Sequence, residues 1–157
     1  MDPLRTVPTA QDAMRRDVFV FAPTVPILDA VRELVQRGFS GAPVVERGRL
    51  VGVFSERDAL NAIASAQYED EPPGTVVQHM RREFTVVAPT ADLYEVASVF
   101  RESPVRRLPV VDDSRRLLGI LSRGDVLKAL IARFPHRQKT QYEKLQDHMA
   151  LRLGASF

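Results

Sequence analysis

The chain has 157 residues, 45% of them hydrophobic, and a formal net charge of +2. That is enough apolar material for a core, which excludes a disordered tail. No apolar run approaches the roughly 20 residues of a membrane helix, and with no cysteine there are neither disulfides nor thiolate metal sites.

Residues 1–11 form an N-terminal segment without the continuous apolar stretch of a signal peptide, and a cytoplasmic location is expected. The first structured unit is expected over 12–64. It opens on an extended piece, "DVFVFAP", whose proline blocks a helix at the residue before it. An amphipathic helix follows with Ile27, Val31, Leu34 and Val35 on one face, stopping at Gly38. Two short apolar runs, "APVVE" and "LVGVF", flank a tight polar turn and read as a β-hairpin. Ser55 then opens a second helix. Residues 65–76 carry acidic, Pro-Pro and Gly punctuation and are expected to be a linker.

The second unit, 77–132, runs through the same order. "EFTVVAP" is extended, Leu93, Val96, Ala97 and Phe100 mark a helix that Pro104 ends, "LPVVD" and "LLGIL" make a hairpin, and Ser122 opens a helix. Residues 133–157 read as an amphipathic C-terminal helix and tail, with Tyr142, Leu145, Met149 and Leu153 at near-heptad spacing.

The two units are copies. Met14-Arg15-Arg16 returns as Met80-Arg81-Arg82, Ala22-Pro23-Thr24 as Ala88-Pro89-Thr90 and Pro43-Val44-Val45 as Pro109-Val110-Val111. After one inserted residue in the hairpin turn, "GVFSERDAL" (52–60) returns as "GILSRGDVL" (119–127). Each copy is strand, helix, strand, strand, helix, and a sheet that small covers both its faces only by packing against its twin.

Ser55-x-x-Asp58 and Ser122-x-x-Asp125 are capping boxes. The same groups suit a nucleotide: a helix start offers N–H groups and a positive dipole end to phosphate, and an exposed carboxylate can accept both hydroxyls of a ribose. Gly52 and Gly119 fit either close strand packing or close approach of a ligand. The basic pairs Arg15-Arg16, Arg81-Arg82 and Arg115-Arg116 are dispersed and read as solvated surface. His79, His136 and His148 have no metal-ligand spacing. There is no nucleophile elbow, Walker loop or identifiable base beside Ser55, so neither a catalytic residue nor a metal site is expected.

The strand "x-x-h-P-V-V", a turn, then "h-h-G-h-h-S-x-x-D", occurring twice at this spacing, resembles a tandem pair of CBS domains, the Bateman module, over about residues 10–132. The resemblance implies an α+β fold of two β-α-β-β-α repeats packed sheet to sheet about a pseudo-two-fold axis. It implies a regulatory module, not an enzyme and without a catalytic cofactor. Such a module holds AMP, ADP, ATP or another adenosyl ligand such as S-adenosylmethionine between its repeats and signals by a change of shape. Carried over, Ser55 and Asp58 face Thr85, Val105, Arg106 and Arg107, while Ser122 and Asp125 face Phe19, Val20, Ser40 and Gly41. Arg106 and Arg107 favour the first cleft for a phosphorylated ligand, because the guanidinium fork binds two phosphate oxygens together. A homodimer and a regulated partner protein are the implied partners, with no membrane. A ligand-free dimeric scaffold is the alternative, and a nucleic-acid binder a weaker one.

Overall fold

The computed structural model describes residues 6–134, 143–146 and 148–149. Ten elements follow in chain order. They are α1 (Ala10–Ala13), α2 (Ile27–Arg37), β1 (Gly41–Glu46), β2 (Arg49–Ser55), α3 (Glu56–Glu69), α4 (Val76–His79), α5 (Leu93–Glu102), β3 (Arg107–Val111), β4 (Leu117–Ser122) and α6 (Arg123–Ile131).

Each hairpin is an antiparallel pair, β1 with β2 and β3 with β4. Both pairings slip by one residue at the same place, between Val44 and Val45 and between Val110 and Val111. At that slip the extended segment expected to open each repeat docks alongside, as a single parallel bridge, Phe21 to Val44 and Val87 to Val110. Phe21 N donates to Pro43 O and Val45 N to Phe21 O, both at 2.9 Å. Val87 makes the same pair of bonds with Pro109 and Val111 at 3.0 and 3.1 Å. The leading strand is therefore present in both repeats, shortened to one rung, with Pro23 and Pro89 two residues beyond it.

Helix α2 buries Ile27, Ala30 and Leu34, the i, i+3, i+7 stripe, and ends at Gly38 with φ +66°. Val35, expected on that face, is 73% exposed, since it lies about 100° around the helix from Leu34 and falls off the buried stripe. Helix α5 buries Leu93, Val96 and Phe100 with Ala97 packed at the margin, as expected.

The two cores are built by exchange. Phe21, Ile27, Leu34, Val44 and Phe54 of the first repeat are joined by Val76 and Met80 from α4 and its end. Val87, Leu93, Phe100, Leu108 and Leu121 of the second are joined by Ala10 and Met14 from α1 and its end. The short helices are held at the start of the opposite repeat's first long helix: Ala10 N donates to Ala91 O at 2.8 Å, and Val76 N to Val25 O at 2.9 Å. Boundaries drawn at residues 12 and 77 thus fall inside the crossing segments, and neither core is complete without the chain that leads into the other repeat.

The crossing also explains the paired glycines. A Cβ on Gly52 would lie 2.9 Å from Met80 Cγ and 3.0 Å from the Arg81 carbonyl, and one on Gly119 would lie 2.7 Å from both Met14 Cγ and the Arg15 carbonyl. Each glycine admits the opposite methionine and the backbone behind it, so close strand packing accounts for both. The two hairpins meet at their turn ends, where Arg49 and Arg116 form an antiparallel bridge. In the tail, Glu143–Gln146 and His148–Met149 are helical, and Leu145 and Met149 are exposed; Tyr142 and Leu153 lie outside the described residues.

Candidate functional site

The last residue of β2 is the N-cap of α3. Ser55 N and Oγ both donate to Asp58 Oδ2 at 2.8 Å, and Asp58 N donates back to Ser55 Oγ at 3.4 Å. The Ser122–Asp125 box repeats this with 2.8, 2.8 and 3.2 Å. Both motifs therefore fulfil the capping role, which closes otherwise open amides at a helix start. The expectation of an exposed carboxylate is corrected at Asp58, which is 8% exposed, because the cap folds it against its own strand end. The open helix start is also narrower than expected. Glu56 N donates to Ser40 O at 2.9 Å and Asp58 N to Ser55 Oγ, so two of the first three amides of α3 are already engaged.

The two carboxylates differ in their second oxygen. Among the described residues every contact of Asp58 falls on Oδ2, which also has Arg81 Nε at 3.8 Å. Asp125 uses both oxygens: Oδ2 serves Ser122, and Oδ1 accepts from Arg15 Nε at 3.2 Å. Burial pushes the Asp125 carboxyl up, but the Ser122 amide and hydroxyl and the Arg15 guanidinium outweigh it and hold the group below the usual carboxylate range.

Arg15 and Arg81, read from sequence as solvated surface, are thus the residues that reach the capping aspartates from across the repeat boundary. Their backbones fix them there. Arg15 N donates to Ile120 O at 2.9 Å and Ile120 N to Arg15 O at 3.0 Å, and Arg81 makes the matching pair with Val53 at 2.9 Å both ways. The signal was present in the sequence, since Met-Arg-Arg recurs with the rest of the repeat. Its meaning depended on the crossing of α1 and α4, which periodicity does not reveal.

Strand register sets the other expected residues. Gly41 pairs with Ser55, so Ser40 and Gly41 adjoin the Ser55 cap of their own repeat. Arg107 pairs with Ser122. The two segments nevertheless meet across the boundary, because the Arg107 guanidinium lies 5.6 Å from the centroid of Phe39, next to Ser40. Phe39 was not singled out from sequence. It joins Phe19, 6.1 Å away, and Phe19 is covered by the Arg37 guanidinium at 4.0 Å. Val20 is exposed. Thr85 and Arg106 are exposed, and Val105 O accepts a long 3.4 Å bond from Arg123 Nη2. Among the described residues Thr85 and Arg106 make no direct polar contact with either cap.

A family model for the CBS domain matches twice, over residues 10–65 and 75–132. The chain belongs to the CBS domain family. It is a tandem CBS pair, with the α+β repeat architecture that its sequence resembles. Among solved structures it is similar to CBSX2 of Arabidopsis thaliana in complex with AMP, at a TM-score of 0.70 and 32% identity, covering 80% of this chain and 97% of that one. Among curated relatives it is 29% identical over 125 residues to protein MJ1232 of Methanocaldococcus jannaschii, and 34% identical over 122 residues to the human 5'-AMP-activated protein kinase subunit gamma-3. The chain spans 40% of the first and 25% of the second, so the CBS pair corresponds to a part of those longer proteins. No helix among the described residues is long and apolar enough to cross a membrane.

Proposed function

We propose that this CBS pair is a regulatory module that binds an adenine nucleotide between its repeats and passes on the resulting change of shape. The observation that carries the reading is the difference between the two aspartates. Asp58 keeps Oδ1 outside its capping bonds. Asp125 has Oδ1 engaged by Arg15. In this reading Ser55 and Asp58 anchor the helix start and the ribose, and Arg106 and Arg107 meet the phosphate with Thr85 and Val105 beside them. Ser122, Asp125, Phe19, Val20, Ser40 and Gly41 line the twin cleft, which takes a ligand more weakly. The 32% identity to a CBS pair crystallised with AMP supports the choice of adenine nucleotide over S-adenosylmethionine. Signalling follows from differential affinity: a ligand that prefers one arrangement of the repeats shifts the population toward it.

A thermal-shift panel of AMP, ADP, ATP, S-adenosylmethionine and NAD tests this. A ligand at a hundredfold its dissociation constant stabilises by about 2.7 kcal/mol, which in a domain near 150 residues raises the melting temperature by roughly 5–10 °C. AMP, ADP or ATP should produce that shift. No shift with any of the five would reject a nucleotide sensor.

One set of observations favours a second reading, a dimeric scaffold. Leu60 on α3 and its repeat equivalent Leu127 on α6 are 69% and 66% exposed, with Ile131 and Phe134 beyond them. That is apolar helical surface of the kind that two-fold dimers cover. Dimerisation and nucleotide binding are compatible, and the panel separates a sensor from a scaffold that only dimerises.

A further inference from the structure

At the end of the sheets farthest from the caps, the two hairpin turns carry Arg47, Arg49, Arg115 and Arg116. The backbone ladder forces them together. Arg49 and Arg116 are bridge partners, Leu50 N donates to Arg115 O at 2.9 Å, and Leu117 N donates to Gly48 O at 3.1 Å. Gly48 has φ +79°, and a Cβ there would sit 3.7 Å from Arg116 Nη1, which places the second turn's guanidinium over the first turn. Arg47 and Arg115 both have left-handed backbones, at φ 51° and 63°, an unusual setting for a long side chain. A cavity of about 450 Å³ opens between the turns, lined by Glu46, Arg47, Arg49, Val51 and Arg116.

The charge here is only partly offset from within, where Glu46, Asp112 and Asp113 stand against four arginines. Arg15, Arg32, Arg37 and Arg81 form ion pairs, whereas none of these four turn arginines does so among the described residues. In the second turn Asp112 accepts from the Ser114 and Arg116 amides, both at 2.9 Å, so it shapes the turn, and among the described residues neither it nor Asp113 forms an ion pair with a guanidinium. Glu46 is the single acid in the wall against three arginines. Like charges gathered this closely repel one another, and an anion between them relieves the repulsion. Their planar forks match phosphate oxygens two at a time.

We infer that this cavity beside the first hairpin turn, closed by Arg116 of the second, is a second anion site, for a short oligophosphate chain. It is distinct from the Asp58 cleft. Arg49 and Ser55 stand at opposite ends of β2, and its seven residues at about 3.3 Å each separate the two sites by roughly 20 Å.

The test is titration calorimetry of the full chain with inorganic tripolyphosphate in low-salt buffer. Wild type should bind one equivalent, with affinity falling as salt is added. Arg49→Gln with Arg116→Gln should lower affinity about tenfold or more, since two charge-assisted forks are lost. Arg32→Gln with Arg37→Gln removes the same charge from ion-paired surface positions and should leave affinity within about twofold. Glu46→Gln should tighten binding. Asp58→Asn should leave it unchanged. Melting curves confirm that the variants are folded, and Arg49→Lys with Arg116→Lys, which keeps the charge and loses the fork, should fall between. ATP that binds the Asp58→Asn protein more tightly than tripolyphosphate identifies a nucleotide-borne chain; weaker ATP binding identifies a free one. No binding to wild type, equal losses in the two double variants, or loss in Asp58→Asn would each overturn the inference.

Discussion

Substituting Gly119 with alanine adds one methyl group and should destabilise the whole pair. The new Cβ would lie 2.7 Å from the Arg15 carbonyl and 2.7 Å from Met14 Cγ, well inside van der Waals contact. The methionine side chain can turn away, but the carbonyl is backbone, held by the 3.0 Å bond from Ile120 N. Relief requires the crossing segment to move off β4, which also loosens Met14 from the second core. Overpacking of this kind costs about 1–3 kcal/mol, or roughly 2–12 °C in melting temperature for a chain of this size. Gly52→Ala should behave alike, with its Cβ 3.0 Å from the Arg81 carbonyl. Gly124→Ala is the control: its nearest neighbour would be Ser122 Oγ at 3.7 Å, and in the first turn of α6 alanine should stabilise by up to about 1 kcal/mol. Differential scanning calorimetry of the three variants gives the answer. Melting of Gly52→Ala and Gly119→Ala within a degree of wild type would refute the exchanged packing of the two leading segments.

Ser55→Ala removes a helix cap and should cost about 0.5–2 kcal/mol in chemical denaturation. The depressed Asp125 carboxyl contributes stability that is fully present above its ordinary value of 3.8 and is lost as pH falls through the lower folded-state value. Asp125→Asn should therefore narrow its stability gap to wild type as pH drops from 5 toward 2, measured by denaturation across that range; a gap independent of pH would contradict the assigned pairing. Leu60→Glu with Leu127→Glu places charge on the exposed helical surface and should convert a dimer to monomer in sedimentation velocity, without lowering the melting temperature of the monomer.

The repeat was legible because the same apolar spacing, glycines and Ser-x-x-Asp caps recur in register, and both hairpins and all four long helices form where that spacing puts them. The exchange was not. Val76 and Met80 read as the run-in to the second repeat, yet their burial is in the first, and only three-dimensional proximity tells which core a short helix joins. For the same reason Arg15 and Arg81 looked like surface charge. Val35 has the i, i+4 spacing of a core residue from Val31 and stays in water because it lies about 100° around the helix from Leu34, off the buried stripe. At the candidate site Ser55 and Asp58 were legible through their capping chemistry, whereas Phe39, under Arg107, carries no local motif.

The difference between Asp58 and Asp125 is tested most directly by calorimetric titration of AMP into wild type, Asp58→Asn and Asp125→Asn. If Asp58 holds the ribose, its amide variant should lose about ten- to a hundredfold in affinity, the worth of charge-assisted bonds to the diol, while Asp125→Asn keeps nearly wild-type affinity and both variants remain folded. Wild-type AMP affinity in Asp58→Asn, or a larger loss in Asp125→Asn, would contradict the assignment.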